Sequence, residues 1–426
     1  MRHALLTLLL LSAVSSAEDG DRMDRLEAEN ASLRRRLDAL EQRDPTSLAD
    51  AIESYLSERD AETLEDGDTG IGLNLVVENG TVRGVFQLFG SVGLRSDNPE
   101  VPGRSNTFFF NGGAAFFFTA RAGDHFHVLS ETVFLTRIAS DPAATDGGDF
   151  DQERLWGAWA FSDAIQIKFG LEHGPISRWN HLYHHGRWLE LTINRPLLAR
   201  FEGGGGILPM HNAGIEVTGK LRRESGTFEY TLVLSNGRGR VPTDTQEFSD
   251  RNDGKALDVG LAYRPDSMPE LWFAFFFRVD DIPADPTNPA RLRSIRELIG
   301  SFQVDYRGDT FEILAEFVVV ENRDRQSGTN FDHFAGYIQI AYHYKDQWTP
   351  YFRFDIRVMD IGDPYYSPFG RDLDVWEVLL GIRYDFIANA SLKFEIGFGE
   401  RDERDGVGQI TNNGVFRLGI QLAWVF

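Results

Sequence analysis

The segment from 175 to 212 holds the densest set of residues able to do chemistry. Arg178, Arg187, Arg195 and Arg200 make it locally basic in a chain of net charge −22. Such a stretch offers either contacts for anions or partners for carboxylates elsewhere, and the sequence leaves both open. His173, His181, His184, His185 and His211 lie in or beside it. His181 with His184 and His185 suggests a metal site, but no acidic or cysteine partner stands at recognisable ligand spacing. Hydrogen-bonding loop histidines are the plainer account, and no metal or cofactor is expected. Gly203 to Gly206 lacks the following Lys-Ser/Thr of a phosphate loop and suits a bend in the backbone. No G-x-S-x-G or H-E-x-x-H pattern occurs, so no catalytic residue is expected and the chain is not read as an enzyme. At nearly forty residues the segment is far longer than a connection needs, and loops of that length are usually functional.

The elements around this segment are strands. Ile165 to Glu172 is apolar at every second residue, and Ile215 to Arg222, Thr227 to Ser235, Leu257 to Tyr263 and Phe311 to Phe317 repeat the pattern. Period two marks a strand with one apolar and one polar face. About sixteen such segments follow residue 81, each near the roughly 9–11 residues of a tilted membrane-spanning strand. Short turns such as Ser162-Asp163, Arg223-Glu224-Ser225, Gly308-Asp309 and Ile387-Ala388 alternate with long polar links, among them 96–106, 139–149, 175–212 and 237–254. A membrane barrel sorts its connections in this way, with short turns on one side and long loops on the other. A soluble solenoid or propeller would need a fixed-period repeat, and none is present. The fold class expected is all-β, a transmembrane antiparallel barrel of about 16 strands preceded by a short N-terminal coiled coil.

Composition agrees. No stretch reaches the ~20 apolar residues of a spanning helix, so a closed barrel is the spanning option left. The 33 phenylalanines suit a lipid-facing surface, and the absence of cysteine excludes a disulfide framework. The acidic balance argues against nucleic acid and suits outer loops bridged by divalent cations to lipopolysaccharide. Residues 1–17 read as a signal peptide, with Arg2 and His3, an apolar run and Ser15-Ser16-Ala17. Residues 18–44 read as a periplasmic coiled coil, whose heptad over 20–43 puts Met23, Asn30 and Leu37 at a and Leu26, Leu33 and Leu40 at d. The run Arg36 to Glu41 resembles the trimerisation signature of short coiled coils, in which Arg36 would pair with Glu41 of a neighbouring helix. Trimerisation would then rest on Leu26, Asn30, Leu33, Arg36, Leu37, Leu40 and Glu41. Residues 45–80 form a helical and acidic linker, and 81–426 the barrel.

The last strand, Val415 to Phe426, alternates Phe416, Leu418, Ile420, Leu422, Trp424 and Phe426 with Arg417, Gly419, Gln421 and Ala423. A chain ending on such a strand with an aromatic residue resembles the bacterial outer-membrane barrels, whose C-terminal aromatic is read by the barrel assembly machinery. Lys168-Phe169-Gly170, Pro175, Arg178-Trp179-Asn180, His184, Asn194-Arg195-Pro196 and Ile207 to Ile215 follow a pattern similar to the phosphate-selective porin O/P group and related trimeric porins. That resemblance implies an inward-folded loop 175–212 with Arg178, Arg187, Arg195 and Arg200 at a pore constriction, and phosphate-like anions among the solutes.

Alternation puts Lys168, Lys220, Arg353, Arg357, Arg383, Lys393 and Arg417 on the lumen side, with Glu172, Glu216, Glu229, Asp305, Glu312, Glu316, Asp355, Glu377, Asp385 and Glu395. Such a mixture lines a general aqueous channel or makes structural salt bridges across the wall. The reading is an outer-membrane porin, a homotrimer in the bilayer passing small polar or anionic solutes. A barrel enzyme acting on lipids and a barrel tethered to the cell wall by its coiled coil are the alternatives.

Overall fold

A computed structural model describes residues 82–98, 107–123, 125–137, 147–184, 189–200, 206–242, 250, 253–284, 293–345, 347–370, 372–404 and 408–426. The expected signal peptide, coiled coil and linker lie outside the described residues, as do His185, Arg187 and Gly203 to Gly205.

Sixteen strands follow one another. They are β1 (Val82–Asn98), β2 (Thr107–Ala122), β3 (Phe126–Arg137), β4 (Gly147–Ser162), β5 (Ile165–His173), β6 (His211–Arg223), β7 (Gly226–Ser235) and β8 (Ala256–Pro265). The second half comprises β9 (Leu271–Ile282), β10 (Ile295–Arg307), β11 (Phe311–Asp324), β12 (Asn330–Tyr342), β13 (Trp348–Met359), β14 (Val375–Ile387), β15 (Ala390–Arg404) and β16 (Ile410–Val425). Each pairs antiparallel with the next, and β16 pairs antiparallel with β1, from Phe89 opposite Val425 to Asn98 opposite Phe416. The sheet is therefore a closed barrel with no free edge, and Phe426 finishes the seam by exchanging two backbone hydrogen bonds with Leu88. Several hairpins run further than the sequence suggests. β11 reaches Asp324 and β15 reaches Arg404, because antiparallel pairing continues beyond the apolar band that marks the strands in the sequence.

Exposure on the barrel is inverted with respect to a protein in water. On β9 the inward row Trp272, Ala274, Phe276, Arg278, Asp280 and Ile282 is buried, while Phe275 is 60% exposed and Phe277 49%. On β16 Arg417 and Gln421 are buried and Phe416, Leu418 and Ile420 are exposed. Leu232, Leu234, Leu261, Val319 and Leu380 continue the exposed apolar surface. Apolar patches on soluble monomers rarely exceed a few hundred Å², and this one follows strand after strand around the wall. It is the surface a bilayer covers.

Aromatic rings gather near the strand ends that bear the short turns. Trp348 stacks on Tyr384 at 4.1 Å between centroids, Phe228 meets Tyr263 at 4.6 Å, Phe311 meets Tyr342 at 5.2 Å and Phe126 meets Trp159 at 6.3 Å. Amphipathic rings favour the membrane–water boundary, so this end marks one interface and Phe426 lies on the same side. Leu261 lies midway along β8, and its replacement by arginine should cost about 2–4 kcal/mol. Denaturant titration of refolding into lipid vesicles measures this. An unchanged midpoint would show that the face does not meet lipid.

Candidate functional site

The chain leaves the wall at His173 and rejoins it at His211, and these two residues are paired across β5 and β6. Between them it turns into the barrel. Helix α1 (Arg178–Tyr183) begins at Ser177, whose hydroxyl accepts from the Asn180 amide at 3.2 Å, the usual use of serine at a helix start. A single 3₁₀ turn, Leu197–Ala199, follows Pro196. The remaining described backbone is irregular, and most of it is buried.

Inward-facing side chains of the wall supply its hydrogen bonds. Glu316 on β11 accepts from the Arg178 and Trp179 amides at 2.8 and 2.7 Å and from the Tyr337 hydroxyl at 2.6 Å. A carboxylate at the first amides of a helix also faces the positive end of its dipole. Asp355 on β13 accepts from the Leu197 amide at 2.9 Å, and Glu395 on β15 accepts from the Ile193 amide at 3.0 Å and from the Asn194 side chain. The cations serve the carbonyls. Arg353 donates to the Asn194 and Arg195 carbonyls at 2.7 and 3.1 Å, Arg383 to Glu190 at 3.2 Å and Lys393 to Thr192 at 3.4 Å. β13 and β14 stand eight places round the sixteen-strand ring from β5 and β6, so the segment crosses to the opposite wall. It also descends, since Arg178 reaches Asp305, two residues short of the turn end of β10.

A second set of contacts is apolar. Ile176, Trp179, Leu182, Leu198, Ile207, Leu208 and Met210 form one buried cluster with Trp272, Phe276, Ile299, Leu314, Val318 and Tyr337 of the wall. Alternation suggested a polar lumen, but the inner face of β9 to β12 is partly apolar because it receives the loop's own apolar side. The last part of the segment is clamped from other loops. Arg238 donates to the Ile207 carbonyl at 2.8 Å and pairs with Glu297 at 2.7 Å, and the Tyr366 hydroxyl donates to the same carbonyl at 2.9 Å. Close approach is needed at Gly381, where an added Cβ would fall 2.2 Å from the Tyr351 ring. That ring lies flat there and sends its hydroxyl to Glu395 at 3.0 Å.

Of the four expected loop arginines, Arg178, Arg195 and Arg200 are among the described residues, and each is engaged. Arg178 pairs with Asp305 at 3.1 Å and stacks over Trp272 at 4.1 Å. Arg195 lies over Trp179 at 5.1 Å and donates to the His184 carbonyl. Arg200 meets Glu377 at 3.2 Å, and Arg417 meets the same carboxylate at 2.7 Å. Burial draws the Arg200 guanidinium down to about 10, against the pull of Glu377, and it stays charged at neutral pH. Burial likewise holds His181 down to about 3, so its ring is neutral there. Lys168 bridges Glu172 and Glu216 at 2.8 and 3.0 Å, Arg357 donates to the Leu373 carbonyl at 3.2 Å, and Glu312 lies 3.8 Å from His343. Lys220 shares the inward row of Glu216 on β6.

No protein-family model and no curated protein matches the sequence. Solved structures do match. OmpT expressed in the outer membrane of Vibrio cholerae aligns at TM-score 0.55 and 11% identity, over 82% of this chain and all of that one. The outer membrane channel DcaP of Acinetobacter baumannii gives 0.55 and 11% over 82% and 99%, and an anion-selective porin from Comamonas acidovorans gives 0.55 and 10% over 81% and 100%. The fold is a porin fold. At such identities the likeness is one of backbone, and the inner residues of this porin fold speak for themselves.

Sequence reasoning put Glu377, Glu395 and Asp305 in the lumen without assigning them to the site, and it did not pick out Ser177, Tyr337 or Arg238. A Ser three residues before Asn180 at a short helical stretch is a legible cap. The match between a loop amide and a particular wall carboxylate has no local signal. Glu316→Leu leaves two buried amides and a tyrosine hydroxyl without an acceptor, and each stranded donor costs about 1–3 kcal/mol. Hydrogen exchange at Arg178 and Trp179 should then accelerate at least tenfold while the strands stay protected. Unchanged exchange would remove Glu316 as the anchor.

Proposed function

We propose that this protein is an outer-membrane porin, a passive channel for small polar or anionic solutes whose bore is set by the inserted segment 175–212. The observation that carries this reading is the segment's attachment to the far wall through Glu316, Asp355, Glu395 and Arg353. A loop held there takes cross-section from the lumen, and the apolar exterior supports residence in a bilayer. The fold shared with DcaP and with the Comamonas porin supports a channel as well. Engagement of Arg178, Arg195 and Arg200 by wall carboxylates, carbonyls and rings favours general diffusion over a tight phosphate clamp. Charge of both signs around the lumen would then orient solutes in a transverse field.

Pure protein in a planar bilayer should give discrete conductance steps, and a total lack of current would sink the proposal. Removing residues 178–200 should raise the unit conductance. The Arg200 side chain is more exposed than that of Arg178, at 23% against 5%. Arg200→Ala should therefore move the reversal potential in a KCl gradient toward cation selectivity more than Arg178→Ala. The reverse order would place the field elsewhere. The heptad of residues 20–43 supports a homotrimer, and one solved OmpT structure is described as a trimer form. Deleting 20–43 should lower the mass of the assembly in detergent; an unchanged mass would leave association to the barrel.

A further inference from the structure

Three imidazoles and one carboxylate converge where the inserted segment leaves and rejoins the wall. His173 ends β5, His211 opens β6, His184 follows helix α1, and Glu153 belongs to β4. The Glu153 carboxylate oxygen lies 2.9 Å from His211 Nε2 and 3.3 Å from His184 Nε2. The ring of His184 stands 4.0 Å from that of His173 and 4.8 Å from that of His211, and one ligating atom from each of the four residues falls within 4.8 Å of the others.

Two features of the backbone and the hydrogen bonding aim these groups. Glu131 pairs with Arg154 and Thr132 with Gln152, so Glu153 is the extra residue of a β-bulge. Phe150 points out on one side of the bulge and Leu155 and Trp159 on the other, while Glu153 and Arg154 are both buried. Strict alternation would turn one of two adjacent residues away from the interior; the bulge turns both inward, a common device beside functional sites. The second feature is Asn180. Its amide nitrogen donates to the Met210 carbonyl at 2.7 Å, which leaves its oxygen to accept from His184 Nδ1–H. The Nε2 of His184 then presents a lone pair toward the Glu153 oxygen. Two electron-rich atoms at 3.3 Å repel unless a proton or a cation lies between them.

We infer that Glu153, His173, His184 and His211 form a binding site for a first-row divalent transition metal of the zinc class. Three neutral imidazoles and a carboxylate are the donors such ions select, and four of them match a tetrahedral site. Metal–ligand bonds of about 2.0–2.2 Å place tetrahedral donors roughly 3.3–3.6 Å apart, a spacing that His184 and Glu153 already have and that small side-chain rotations give the rest. Asn180 acts as the outer partner that fixes the His184 tautomer. Bound metal joins β4, β5, β6 and α1, and so clamps both ends of the inserted segment to the wall.

The test uses untagged, full-length protein folded in detergent and stripped with a chelator. Titration with Co²⁺ should give the intense visible bands of tetrahedral cobalt at one equivalent per chain, and Zn²⁺ should displace it. Glu153→Gln, which keeps the shape, and His211→Ala should each weaken Co²⁺ binding by a hundredfold or more, and Asn180→Ala by about 10–100-fold. His181→Ala, on the same helix but outside the cluster, should bind as the parent does. Uptake is scored only on protein with the barrel's circular dichroism and heat-shifted mobility. No uptake by the folded parent, a weak octahedral cobalt spectrum, or uptake that survives both Glu153→Gln and His211→Ala overturns the site.

Discussion

A buried backbone without regular secondary structure must find a partner for each amide and carbonyl, and this requirement organises the barrel. The segment between β5 and β6 enters an interior already enclosed by sixteen strands whose own amides and carbonyls are spent on one another. Apart from a few backbone bonds of its own, it is served by inward side chains of the wall and by residues of neighbouring loops. Carboxylates on β11, β13 and β15 take its amides, and arginine or lysine on β13, β14 and β15 takes its carbonyls. The mixture of signs on the lumen wall follows from having to satisfy donors and acceptors at once.

The same economy explains why charge is buried so heavily. Arg353, Asp355, Glu316 and Lys393 are shielded almost completely, a position that costs several kcal/mol per ion unless pairing is good. Here each ion is paired with a partner of opposite sign or with the peptide groups of the loop. Replacing such networks by apolar residues often leaves stability intact, so their contribution lies in fixing one path for the loop. The apolar cluster around Trp179 and Leu198 supplies burial, and the ionic contacts choose the register.

Two solvents shape the two faces of each strand. Outside, Phe275, Leu261 and Val319 meet an environment that accepts no polar group; inside, Asp258, Arg278 and Glu297 meet their loop and neighbour partners. β9 shows both demands within twelve residues. Its inner row changes from Trp272, Ala274 and Phe276 to Arg278 and Asp280 as the inserted segment gives way to polar neighbours, and the outer row is apolar along the same stretch.

Strand number, strand order and the facing of nearly all of the named side chains were legible in the sequence. Period-two alternation and turn length are local properties, and a closed antiparallel ring leaves one inside and one outside. Arg353, Asp355, Glu316 and Arg417 were placed inward by parity alone, whereas Arg178, on a helix, was pointed to only by the family resemblance. Glu153 was not singled out in the sequence, and a bulge shifts the phase of its strand there. The inner partnerships were not legible. Asn194 and Glu395 lie 201 residues apart, and Arg178 and Glu316 lie 138 apart. His173, His184 and His211 share no spacing that a motif would capture. Sequence by itself determined the barrel, because its rules act between neighbours on a strand. Tertiary structure alone decided what fills it, because closure brings residues face to face across the lumen whatever their separation along the chain.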